Sequence, residues 1–131
     1  MRLLLDTQAL IWTLTNPSQL TKLAQKSIQE ADIVFVSPIN FYEIAIKIAV
    51  GRDPGISSPV LTIIEEVNQL GFTWLAMSPE HIDAYIRLPF FDHHRDPFDR
   101  MILAIALAEH LTIVSSDHNF PLYDEVVKTI W

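Results

Sequence analysis

A chain of 131 residues, half of them hydrophobic and 19% charged, suits a single domain over residues 1–131 with one core and no linker. It has no cysteine, which excludes disulfides and thiolate metal sites and leaves only oxygen and nitrogen ligands for any metal. A net charge of -7 has the wrong sign for holding nucleic acid through basic residues, unless divalent cations reverse the field locally.

Mean hydropathy of +0.24 is more apolar than a free-standing monomer of this size needs, so part of the surface is expected to lie under a partner. The opening MRLLLDT is too short an apolar run for a signal sequence, and no stretch is long enough to span a bilayer. A cytoplasmic protein is expected, with no membrane contact.

Leu3, Leu4 and Leu5 belong to a strand over residues 2–5, and Asp6 stands at its carboxyl end before a short helix. Five later helix starts are marked by a cap residue followed by proline: Asn16-Pro17, Ser37-Pro38, Ser58-Pro59, Ser78-Pro79 and Asp96-Pro97. The cap oxygen satisfies an orphan N–H, and proline at the first helical position forfeits no bond. The helices expected after them cover roughly 18–30, 38–50, 59–70, 79–87 and 97–109, and Gly51 and Gly71 close two of them. Residues 33–36, 72–76, 112–114 and 129–131 are rich in β-formers and read as further strands. Strands alternating with helices predict an α/β fold with a parallel sheet covered on both faces. In such sheets ligands bind beyond the carboxyl ends of the strands, and the acids fall there.

Each acid has an ordinary explanation. Asp6 can cap a helix; Asp96 and Asp99 fit a cap and a first-turn acid around Pro97; Asp117 can open the turn before His118 and Asn119. Glu43 lies in a helix so apolar that it should be largely buried, and its carboxylate needs either Lys47 at i+4 or a metal ion as partner. Taken together, Asp6, Glu43, Asp99 and Asp117 project to one end of one sheet, where like charges repel and raise each other's pKa. A cation relieves that cost. Hard carboxylate oxygens suit Mg²⁺ or Mn²⁺, and such ions in a carboxylate cluster serve phosphodiester hydrolysis.

The segments LLLDTQALIW, SPINFYEIAIK, HRDPFDRMILAIA and VSSDHNFPLYD resemble, in order and spacing, the PIN domains, and within them the VapC-like toxins of type II toxin-antitoxin pairs. HRDPFDR is the most specific of these segments, and the resemblance covers essentially the whole chain. It implies a three-layer α/β/α sandwich around a mostly parallel sheet of four or five strands. It also implies a metal-dependent endoribonuclease whose ligands are Asp6, Glu43, Asp99 and Asp117. Ser115 matches the family's Ser/Thr two positions before the last acid, and Asp96 and Arg100 match residues placed just outside the ligands. A homodimer and a small antitoxin that covers an apolar groove and blocks the site are implied as well. Gln8 stands where the subgroup usually has His, and Ile11 where it has Leu; neither change removes a ligand.

His93, His94 and His118 do not form a spaced zinc-binding pair. They are expected in surface loops, with His94 and Arg95 available to phosphate. Phe90, Phe91 and Trp12 could stack on bases, but packing or a dimer contact accounts better for aromatics in so apolar a chain. A phosphoacceptor receiver domain has similar length and order, yet it needs an acid after the middle strand and a lysine after a late one. Residues 72–77 contain no acid, and no lysine follows Ile113 closely. A PIN-type processing or DNA nuclease without an antitoxin shares the same metal site and stays open as an alternative.

Overall fold

Side chains alternate across a strand, and along the first strand this alternation divides the protein into layers. The computed structural model describes residues 1–131, and β1 (Arg2–Leu5) runs through its centre. Leu3 and Leu5 join one apolar cluster while Leu4 joins the other. The remaining strands are β2 (Ile33–Val36), β3 (Thr73–Trp74), β4 (Thr112–Val114) and β5 (Thr129–Ile130). Their order is β3-β2-β1-β4-β5, with every pair parallel. A receiver-type sheet runs 2-1-3-4-5, so this topology removes that rival.

On one face the first cluster takes in α1 (Thr7–Thr15), α2 (Lys22–Glu30), α3 (Pro38–Ala49) and α4 (Val60–Gln69). On the other, α5 (Pro79–Arg87) and α6 (Pro97–Glu109) close the second cluster over Leu4, Phe35 and Ile113. The result is the expected α/β/α sandwich. Ile102 to Ala106 are all buried, which makes α6 the central helix of its layer. No helix is long and apolar enough to cross a membrane.

The chain departs from the sequence-based expectation at several places. Asn16-Pro17 opens only a 3-10 turn, Pro17–Gln19; buried Leu20 follows, and α2 starts at Lys22 behind the cap of Thr21, whose hydroxyl accepts from Ala24 N at 3.1 Å. At Ser58-Pro59 the proline itself is the cap residue of α4, and no side chain caps that helix. The third strand is two residues rather than five, an edge strand paired only with β2. Helix α3 is not largely buried: Phe41 and Ile44 face the core, while Tyr42 and Ile48 and the following Val50 are exposed. Gly51 and Gly71 do end α3 and α4, with φ of +75° and +76°, a region that costs glycine nothing.

Candidate active site

From β1 the chain winds outward through β2 to β3 on one side, and β4 and β5 extend the sheet on the other. The order therefore reverses between β1 and β4, the kind of crevice in which open α/β sheets bind ligands. Asp6 follows β1 and Asp117 follows β4, so both stand at this reversal. Glu43 comes from α3, and Asp96 and Asp99 from the start of α6. All five acids line one cleft of about 380 Å³, in which Lys47 is the only lysine or arginine. A larger cavity of about 660 Å³ lies between the start of α5 and the end of α6, but it gathers no comparable set of acids, so size does not identify the site.

Each carboxylate is held by local structure. One Asp6 oxygen caps α1 by accepting from Ala9 N at 2.7 Å, and the other accepts from the Ser115 hydroxyl. Ser115 Oγ in turn accepts from Asp117 N at 3.1 Å, so one buried hydroxyl ties the ends of β1 and β4 together. Asp117 Oδ1 accepts from Asn119 N at 2.8 Å, the turn role expected of it. Glu43 Oε1 accepts from Thr7 Oγ1 at 2.8 Å, and Lys47 Nζ stands farther off, 3.9 Å from Oε2. Thr7 also accepts from Asn40 Nδ2 at 3.1 Å. Asp96 caps α6 through Phe98 N at 2.9 Å and Asp99 N at 3.0 Å.

Burial pushes the Asp6 carboxyl up to about 7, against the lowering effect of its hydrogen bonds from Ser115 and Ala9; the charges of Asp99 and Asp117 add to the rise. Burial likewise raises Asp99 to about 6, opposed by its hydrogen bond from His94 and reinforced by Asp96, Asp117 and Glu43. The acids therefore feel one another. One buried and three half-buried carboxylates in one cleft with so little cationic compensation fit a hard divalent ion.

The tightest possible ligand group is formed by Asp99, Asp117 and His94, whose ligand atoms all lie within 4.8 Å of one another. Asp6 and Glu43 line the same cleft outside that group, with oxygens already engaged by Ser115, Ala9 and Thr7.

His94 is not in a surface loop as its sequence context suggests. It is buried, with Nδ1 2.9 Å from the Tyr123 hydroxyl and Nε2 3.1 Å from Asp99 Oδ2. Arg100 is buried too, with its guanidinium 5.1 Å from the Tyr85 ring; it donates to Pro89 O at 2.9 Å and to Tyr123 Oη at 3.0 Å. It reaches the acids only through Tyr123 and His94. His93, Arg95 and His118 are exposed, and His118 and Gln8 line the cleft. Trp12 packs against Trp131 and Phe91 against Tyr123, while Phe90 is exposed beneath the Arg95 guanidinium.

Sequence reasoning passed over Thr7, Asn40 and Tyr123. Asn40 carried a usable signal, since a polar amide in an otherwise apolar helix start must find partners once buried. Tyr123 carried none, because its partners lie 23 and 29 residues away.

The family model for the PIN domain matches residues 3–126. A search of curated proteins finds no match. Among solved structures, the chain is similar to VapBC2 from Rickettsia felis bound to a DNA fragment from its promoter, with TM-score 0.67 and 13% identity over 99% of this chain and 98% of that one. FitAcB from Neisseria gonorrhoeae is similar at TM-score 0.67 and 17% identity, covering 98% and 96% of the two chains. VapBC-5 from Mycobacterium tuberculosis, described as a member of the VapBC family of toxin-antitoxin systems, is similar at TM-score 0.64 and 17% identity, covering 98% and 95%.

Proposed function

The chain belongs to the PIN-domain family, and from that premise we propose that it is a divalent-metal-dependent endoribonuclease, the toxin of a toxin-antitoxin pair. The observation that carries this reading is the convergence of Asp6, Glu43, Asp99 and Asp117, from four separate segments, on the sheet reversal between β1 and β4. A helix cap for Asp6, a first-turn position for Asp99, a turn for Asp117 and the Thr7 and Lys47 contacts of Glu43 account for each acid alone, but they give no reason for four of them to share a cleft with one lysine.

In this reading Asp6, Glu43, Asp99 and Asp117 are the ligands: Asp99 and Asp117 offer oxygens within 4.8 Å of each other, and Asp6 and Glu43 line the same cleft. Mg²⁺ or Mn²⁺ bound there would activate water and neutralise charge on the phosphodiester. The chain's own contribution is placement. Ser115 fixes Asp6 and the Asp117 backbone, Thr7 fixes Glu43, and Asp96 holds the first turn of α6, which presents Asp99.

One of the similar structures, VapBC-5, is a member of a family of toxin-antitoxin systems, which supports an antitoxin partner here. Exposed Tyr42, Ile48, Ile82, Ile86 and Phe90 provide apolar surface for such a partner and for a second copy of the chain.

The test is cleavage of single-stranded RNA and of DNA of the same sequence by the purified protein, with Mn²⁺ or with EDTA. RNA should be cut internally, only with metal, and Asp99→Asn should slow the reaction by at least about 100-fold, since even residues one layer outside a metal site typically cost 10–100-fold. An Asp99→Asn protein cutting at the wild-type rate would overturn the site. Cleavage of DNA in preference to RNA would favour the PIN-type DNA nuclease instead.

A further inference from the structure

The Arg100–Tyr123–His94–Asp99 chain of hydrogen bonds is left without a role by the metal site itself. Arg100 has only donors, so Tyr123 Oη must accept from it. The hydroxyl hydrogen of the fully buried Tyr123 then needs an acceptor, and the single polar atom placed to take it is His94 Nδ1 at 2.9 Å. With Nδ1 accepting, the ring proton sits on Nε2, which faces Asp99 Oδ2 at 3.1 Å and donates to it. Were Nδ1 protonated instead, the tyrosine hydrogen would be buried without a partner, which would cost the fold stability. Every donor in the chain has an acceptor in only one arrangement.

We infer that His94 is a positioning residue rather than a metal ligand: Arg100 and Tyr123 lock it in the Nε2–H tautomer, and its donated hydrogen bond holds Oδ2 of Asp99 so that Oδ1 is left to the cleft. A ligand nitrogen needs a free lone pair, and in this tautomer Nε2 has none. The 4.8 Å grouping of His94 with Asp99 and Asp117 then reflects a hydrogen bond behind the ligand. Outer partners of this kind orient ligating groups and set their affinity. The assignment rests on the reading of Asp99 as a metal ligand.

Two measurements test it separately from that reading. In ¹⁵N-labelled wild-type protein treated with EDTA, the His94 side chain should show a protonated Nε2 and an unprotonated Nδ1, and the Nε2 proton should persist when Mg²⁺ is added. The opposite tautomer, or loss of that proton on Mg²⁺ binding, would overturn the assignment. Titration with Mn²⁺ then compares His94→Gln, which keeps an N–H donor near the Nε2 position, with His94→Leu, which keeps bulk and has no donor. The leucine variant should bind Mn²⁺ about 10–100-fold more weakly, and the glutamine variant should recover most of that loss. Equal affinities for the two variants would overturn the positioning role. Wild type that binds no Mn²⁺ would overturn the metal-site reading, while the tautomer in the EDTA-treated protein would still decide how His94 is held.

Discussion

Asp6 and Asp99 bind protons far above the range of ordinary carboxylates because the fold buries them, and this has a definite sign in the stability of the protein. With no cation bound, the folded chain holds protons up to about pH 7 at Asp6 and about pH 6 at Asp99, whereas the unfolded chain releases them near its ordinary value of 3.8. Stability contributed by these groups is therefore full below about pH 4 and is lost as pH rises through about 6 and then about 7. In EDTA, wild type should lose Tm across that window relative to Asp6→Asn, whose side chain cannot ionise. A difference that stays flat or reverses sign would contradict the burial of Asp6. At this scale the sequence was legible for the acids, because aspartate after a strand or in a first helical turn is a local pattern. It was opaque for His94, because nothing local distinguishes a loop histidine from one buried against Tyr123 and Asp99.

Elements were most readable where a local device sets their ends. Ser78 and His81 cap α5 reciprocally, and Asp96 with Pro97 starts α6, so both helices begin and end where the sequence places them. Strands β1, β2 and β4 are likewise as read, being short apolar runs in the middle of the sheet. The misread starts at Asn16-Pro17 and Ser58-Pro59 differ: the first dipeptide opens a 3-10 turn and the helix waits for Thr21, while at the second the proline takes the cap position and the helix starts one residue later. His110 closes α6 at φ 56°, a position at which the sequence offers no glycine to announce the end. Asp96 provides the element-scale prediction. If its work is to cap α6, Asp96→Ala should cost about 1 kcal/mol of stability, and Asp96→Ser should restore both stability and RNA cleavage. Loss of cleavage in a fully stable Asp96→Ser protein would instead make Asp96 a ligand.

At the scale of the whole molecule, two features set its behaviour: apolar surface left outside the two clusters, and negative charge gathered at one end of the sheet. The first predicts that the chain expressed alone is toxic or poorly soluble, and that co-expression with a small partner protein relieves this; a soluble, harmless and strictly monomeric chain would favour the PIN-type nuclease that has no antitoxin. The second concerns whether the acids form one site. Thermal melting at pH 8 of wild type and Asp99→Asn, each with EDTA and with saturating Mn²⁺, addresses it directly. Mn²⁺ at about a hundredfold over Kd should stabilise wild type by roughly 2.7 kcal/mol through linkage, and should stabilise Asp99→Asn far less. In EDTA, Asp99→Asn should be at least as stable as wild type, because removing an ionised, partly buried carboxylate from beside Asp117 and Glu43 outweighs a first-turn helix-dipole term of about 0.3–1 kcal/mol. A wild type indifferent to Mn²⁺, together with a destabilised Asp99→Asn, would show that the carboxylates serve their helices and do not share an ion.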